Sequence, residues 1–143
     1  MRFMIIVKAN ADSEAGVMPT SEQIAAMGRF NEELISAGVL LAGEGLQSSA
    51  KGKRVALKGG KFEVKDGPFA ETKELVAGFW IIDVKDEAEA LAWVKRIPYD
   101  EGDEYELRKV FEASDFPADL VTEDALRKEQ AWRDANQKPI GKE

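Results

Sequence analysis

The 143 residues are 44% hydrophobic and 33% charged, a composition that fits one folded domain of ordinary size and leaves no room for a second. With 20 basic residues against 27 acidic, the net charge of -7 opposes a nucleic-acid backbone, and no stripe of Lys and Arg with interleaved aromatics overrides that field. The absence of both Cys and His excludes disulfides, thiolate nucleophiles, Cys or His zinc sites, His-ligated haem, and Ser-His or Cys-His triads.

Arg2–Lys8 is a β-prone run with apolar residues on both alternating sets, Phe3, Ile5 and Val7 against Met4 and Ile6, so both faces of this strand need cover. Its apolar run is too short for a signal peptide or a membrane span, and a cytoplasmic protein with no membrane partner is expected. After a polar stretch over 9–19, Thr20 and Gln23 stand in capping-box spacing and start a helix. Ile24, Met27, Phe30 with Asn31, and Leu34 with Ile35 form its apolar stripe, and Gly38 is placed to cap it. Residues 39–46 then read as a strand. Lys53–Lys58 and 61–65 alternate around Gly59-Gly60, a pair suited to a type I′ turn, and predict a β-hairpin. After the Asp66-Gly67-Pro68 turn, residues 78–84 form a second strand apolar on both sets. Asp86 and Glu89 mark another capping box, with Ala90, Trp93, Val94 and Ile97 on the buried side of the helix. Residues 105–111 alternate as a strand wet on one face. In the charge-rich, helix-prone tail, Val121, Ala125, Lys128, Trp132 and Ala135 share a face, with Trp132 as an anchor on its own subunit or across a dimer.

The order is βαββαβ with an inserted hairpin, the pattern of an α+β, ferredoxin-like sandwich. In that topology the first and third core strands are central, and here those are the two runs without a polar face. Two helices cover only one face of such a sheet. The other face calls for a partner, and a homodimer is expected because two-fold symmetric copies are the commonest solution.

Chemistry is left to carboxylates, Lys, Arg, Tyr and the backbone; no cofactor is expected, and no calcium-loop motif supports a metal. The segment 66–74, DGPFAETKE, crowds Asp66, Glu71, Lys73 and Glu74 behind a rigid turn. Its bland reading is a turn ending the hairpin, with the Asp66 carboxylate accepting the following amides. Its functional reading makes Asp66 and Glu71 polar anchors for a ligand or an acid and base pair, since neighbouring carboxylates raise one another's pKa, with Lys73 and Arg54 as anion contacts. Glu44 lies between Gly43 and Gly45, a pattern that fits a ligand or backbone approaching closely, or a bulge; Glu44 is the remaining ligand-contact candidate. Trp80 and Trp93 sit in core periodicities.

The segments GVLLAGEGL (38–46), VKDGPFAETKE (64–74) and GFWIIDV (78–84), in this order, resemble the YCII-related family and in particular its DGPF subgroup. The resemblance covers about residues 1–112, and the segment 113–143, with FEASDFPADL at the junction, is similar to a helical extension carried by some members. It implies a ferredoxin-like fold of the dimeric α/β-barrel superfamily with two sheets packed face to face. The wider family implies a His and Asp pair in a cleft; this chain has no His, so only Asp66 matches a recurrent acidic position. DGPF members are associated with sigma-factor genes, which implies a regulatory role, while the superfamily includes cofactor-free isomerases, monooxygenases and haem enzymes.

Two functional expectations follow. In the first, a cytoplasmic homodimer binds a small polar or anionic metabolite near the DGPF turn, with or without cofactor-free catalysis. The alternative is a noncatalytic regulatory module associated with sigma-factor-type transcription control, with the charged C-terminal helix as its contact.

Overall fold

Apolar residues on both alternating sets of two strands place those strands in the middle of a sheet, and the computed structural model, which describes residues 1–142 apart from the side chain of Lys73, has that arrangement. In chain order the elements are β1 (Arg2–Lys8), α1 (Ala11–Glu14), α2 (Ser21–Ala37), β2 (Leu40–Gly45), β3 (Lys53–Lys58), β4 (Lys61–Asp66), β5 (Val76–Asp83), α3 (Glu87–Val94), β6 (Tyr105–Lys109) and α4 (Glu123–Asn136). The main sheet has the order β2-β5-β1-β6, antiparallel throughout. The hairpin β3-β4 forms a separate two-stranded sheet. This is the expected ferredoxin-like topology with its insertion.

Register sorts the side chains. Phe3 faces Ile82 and Ile5 faces Trp80 across β1 and β5, and this set is buried beneath Phe30 and Leu34 of α2 and Ala90, Trp93 and Val94 of α3. Burying one such large apolar side chain stabilises the fold by about 1.5–3 kcal/mol. Phe30 packs edge-on against Trp80, with ring centroids 5.5 Å apart, and Trp80 donates its indole N–H to Asn31 Oδ1 at 2.8 Å. Both central tryptophans are therefore core residues, as their spacing predicts. The alternate set, Met4, Ile6, Phe79 and Ile81, faces away from both helices and is only half-buried.

Helix starts follow the sequence closely. Thr20 and Gln23 exchange both capping-box hydrogen bonds, whereas at α3 only half the expected box forms. Asp86 accepts the Glu89 amide, but the Glu89 carboxylate turns to the Lys85 amide at 2.7 Å. The short helix α1 lies in a stretch that reads as polar connection; Asn10 and Ser13 build a capping box there without any apolar stripe. Gly59 and Gly60 have φ of 57° and 76°, the geometry required of the two-residue hairpin turn. Of the Gly43-Glu44-Gly45 alternatives, close approach applies at Gly43. An added Cβ there would lie 2.9 Å from Trp80 Cδ1, and the bulge falls earlier, between Leu40 and Ala42.

The tail folds back onto the sheet. Arg2, buried at the start of β1, donates from Nε and Nη2 to the Glu112 carboxylate at 3.1 and 3.2 Å and from Nη1 to Gln137 Oε1 at 3.1 Å. One guanidinium thus holds both the residue that leads into the C-terminal extension and the end of α4. Beyond it, the Ile140 amide donates to the Leu40 carbonyl at 2.7 Å and covers part of the β2 edge. The half-buried face of α4 carries Leu126 and Arg133, while Trp132 is 56% exposed. Trp132 is therefore not an anchor on its own subunit: the apolar stripe read from the sequence is rotated away from the contact that Arg2 and Gln137 impose. No helix among the described residues is long and apolar enough to cross a membrane.

Candidate functional site

At the base of the hairpin, the DGPF turn is held by Ser49. The Phe69 amide donates to Ser49 Oγ at 3.1 Å, and the Gly67 amide donates to the Gly52 carbonyl at 3.0 Å. Gly67 passes so close that a Cβ there would come 1.7 Å from Ser49 O. Ser49 is itself fixed by Glu14, whose Oε1 accepts the Ser49 amide at 3.0 Å while Oε2 accepts its hydroxyl. Those two bonds hold the Glu14 carboxyl below its ordinary value of 4.5, which makes it a poor base for the serine. The pair is a clip between the α1 loop and the turn, and it gives the rigid-turn reading of DGPF a physical basis.

The residues singled out from the sequence are placed around this turn and on the sheet. Asp66 ends β4 and is ion-paired with Lys53, its cross-strand partner, in solvent; such a pair contributes about 0–1 kcal/mol. Among the described residues no amide N–H donates to Asp66, contrary to the expected turn bond, because the carboxylate is drawn across the ribbon to Lys53. Arg54 lays its guanidinium 4.0 Å from the centroid of the Phe69 ring, a cation-π contact that adds to the clip. Glu71 is exposed, with a left-handed φ of 63°. Glu44 is exposed opposite Phe79, on the side of the sheet away from the helices. The side chain of Lys73 lies outside the described residues.

None of Glu44, Arg54, Asp66 and Glu71 lines the large cleft of the molecule. That cleft, about 1140 Å³, opens on the helix side between α2, the β1-α2 connection and the 98–105 segment. It lies somewhat above the range of about 300–1,000 Å³ usual for small-molecule pockets. Apolar surface comes from Val7, Met27 and Pro98, and polar groups from Asn31, Tyr99 and Tyr105. Tyr99 and Tyr105 meet edge to face at 4.8 Å, and Tyr105 reaches Trp80 at 6.2 Å. Asn31 spends its carbonyl oxygen on Trp80. No described residue bonds its amide nitrogen or either tyrosine hydroxyl, and no buried polar side-chain atom lacks a partner. These three groups are therefore open to whatever occupies the cleft. Gln23 Nε2 donates to Asp100 Oδ2 at 2.8 Å and bridges two walls, while Asp103 accepts the Asp100 amide at 2.8 Å and fixes the loop.

The field in the cleft is negative. Asp12, Glu22, Asp100, Glu101, Asp103 and Glu104 line it against Lys8 alone, and Lys8 is itself 3.6 Å from Glu106. Burial, reinforced by Asp103, Tyr99 and Asp100, pushes the Tyr105 hydroxyl up to about 12. Burial and Asp103 raise Tyr99 as well. Both phenols stay protonated at neutral pH and can donate a hydrogen bond or accept one. Among the described residues, no group of three or more carboxylates is placed to hold a metal ion.

Sequence reasoning missed this constellation because its members stand far apart in the chain. One signal was available: Asn31 interrupts the apolar stripe of α2 beside Phe30, and a polar residue there requires a buried partner or a ligand.

The chain belongs to the YCII-related family, whose domain model matches residues 1–114, from β1 through the start of the C-terminal extension. No functionally curated protein matches it.

Proposed function

We propose that the protein binds a small neutral or cationic molecule in the helix-side cleft and works as a homodimer. The observation that carries the reading is a cleft of predominantly negative charge with accessible, unpaired polar groups, the Asn31 amide nitrogen as a donor and the protonated Tyr99 and Tyr105 hydroxyls as donors or acceptors. Apolar walls with a few fixed polar groups are the usual makeup of a ligand site. A one-signed cleft concentrates ligands of the opposite sign, so the anionic metabolite considered from the sequence gives way to an amine or a neutral polar compound. The tyrosines, protonated through neutral pH, are suited to holding a ligand more than to moving its proton. The homodimer is supported by Met4, Ile6, Phe79 and Ile81, which form a half-buried apolar sheet face turned away from α2 and α3.

Thermal unfolding with a panel of small amines, neutral polyols and carboxylates at equal ionic strength tests the reading, since a ligand of the native state raises its stability with concentration. Amines or polyols are expected to raise the wild-type midpoint, with at least half of the rise lost in Tyr105→Phe. Stabilisation by carboxylates that is lost in Asp66→Asn or Arg54→Ala would instead place the site at the DGPF turn.

A further inference from the structure

The hairpin β3-β4 is the least satisfied part of the fold. Register puts Val55 opposite Val64 and Leu57 opposite Phe62, so four apolar side chains share one face of the ribbon. They are 62%, 61%, 64% and 75% exposed, respectively. An isolated two-stranded ribbon is marginal in water, and a contiguous apolar face on it marks an interaction surface. The base of the hairpin, by contrast, is pinned by the Ser49 clip, the Gly67–Gly52 backbone bond and the Arg54–Phe69 contact. The ribbon is held in one direction while its apolar side meets only solvent.

Charge favours an acidic body as its cover, because the ribbon as a whole carries Lys53, Arg54, Lys58, Lys61 and Lys65 against Glu63 and Asp66. The opposite face carries Arg54, Lys58, Lys61 and Lys65, with Glu63 as its one acid. The chain as a whole has a charge of -7, so the ribbon is a basic arm on an otherwise acidic body. A second copy of this chain presents both an acidic body and the half-buried apolar sheet face of Met4, Ile6, Phe79 and Ile81. We propose that the hairpin is a dimerisation arm, with Val55, Leu57, Phe62 and Val64 packing against a second copy of this chain. The inference rests on the homodimer reading above and adds that the arm, beyond the sheet face, holds the two copies together.

Sedimentation equilibrium on the full chain separates the two claims. The wild type is expected to be a dimer at micromolar concentration, and the Leu57→Ser/Phe62→Ser variant to dissociate at least about a hundredfold more easily while far-ultraviolet dichroism is unchanged. An unchanged dissociation constant in a folded variant overturns the arm and leaves the dimer standing; a monomeric wild type overturns both. A second readout holds even where the double variant fails to fold. Because the chain has no cysteine, Val64→Cys can be labelled with an environment-sensitive dye. Emission that shifts towards its aqueous value as the dimer is diluted apart supports the arm, and a dye already in water within the intact dimer contradicts it.

Discussion

The Glu14 carboxylate accepts both the amide and the hydroxyl of Ser49, 35 positions along the chain. Glu14 ends the short helix whose Asp12 and Ser13 line the cleft, and Ser49 in turn carries the amide of Phe69 in the DGPF turn. One side chain therefore joins the cleft wall to the base of the hairpin.

Ser49→Ala removes the hydroxyl from both of its partners and leaves the Phe69 amide without an acceptor. Global stability should fall by about 1–3 kcal/mol, the penalty for an unsatisfied polar group. Amide hydrogen exchange at Phe69 should accelerate at least about tenfold, read by NMR. Exchange at wild-type rates would mean that the clip contributes nothing to holding the turn.

Gly67→Ala should be worse tolerated than alanine at an open glycine such as Gly45, because its methyl would meet the Ser49 carbonyl at 1.7 Å while nothing lies within 4 Å of a Cβ placed at Gly45. A loss of about 1–3 kcal/mol or more is expected from overpacking, measured as a lower urea midpoint at unchanged slope. Equal midpoints for the two variants would count against the close approach.

The two tyrosines give a pH test. Tyr105 is raised to about 12 and Tyr99 is raised as well, whereas both titrate near 10 in the unfolded chain. A raised folded value contributes stability that is complete below pH 10 and is lost as pH climbs from about 10 to about 12. Tyrosinate absorbance of the native protein should therefore lag behind that of free tyrosine, and Tyr105→Phe should flatten the alkaline loss of stability. A native titration centred at 10 would contradict the desolvated, acid-flanked placement of these rings.

On the acid side, burial works against the Glu112 carboxylate, but its bonds and charge attraction to Arg2 outweigh that and hold its carboxyl below 4.5. A depressed value contributes stability that is present above 4.5 and lost as pH falls through the folded value. Glu112→Gln should thus lower stability at pH 7 by roughly 1.5–3 kcal/mol and show a shallower decline towards about pH 3 in denaturant titrations. Parallel curves for variant and wild type would remove Arg2 and Glu112 as the lock of the C-terminal extension.

Much of the fold is legible in the residues because its determinants are local. Alternation on both sets of Arg2–Lys8 and of the β5 run marks central strands, Thr20 with Gln23 marks the start of α2, and Gly59-Gly60 marks the hairpin turn. Legibility ends where contacts are distant. The α1 helix has four residues and no stripe, so only its Asn10–Ser13 box announces it. Trp132 is the most apolar feature of α4, yet the helix is oriented by Arg2 reaching Gln137. Among the described residues, the ionisable side chains at 66–74 and the nearby Arg54 form no single cluster: Asp66 turns to Lys53 and Arg54 to Phe69. The cleft takes Lys8, Asn31, Tyr99 and Tyr105 from segments that only the sheet topology brings together.

The most direct test of the ligand site is a backbone-amide NMR titration with tetramethylammonium, ethanolamine and acetate. Shifts produced by either of the first two should centre on Gln23, Asn31, Tyr99 and Tyr105, with acetate leaving these signals in place. Perturbations centred on residues 66–74, or acetate acting on the cleft while both amines do not, would contradict the account.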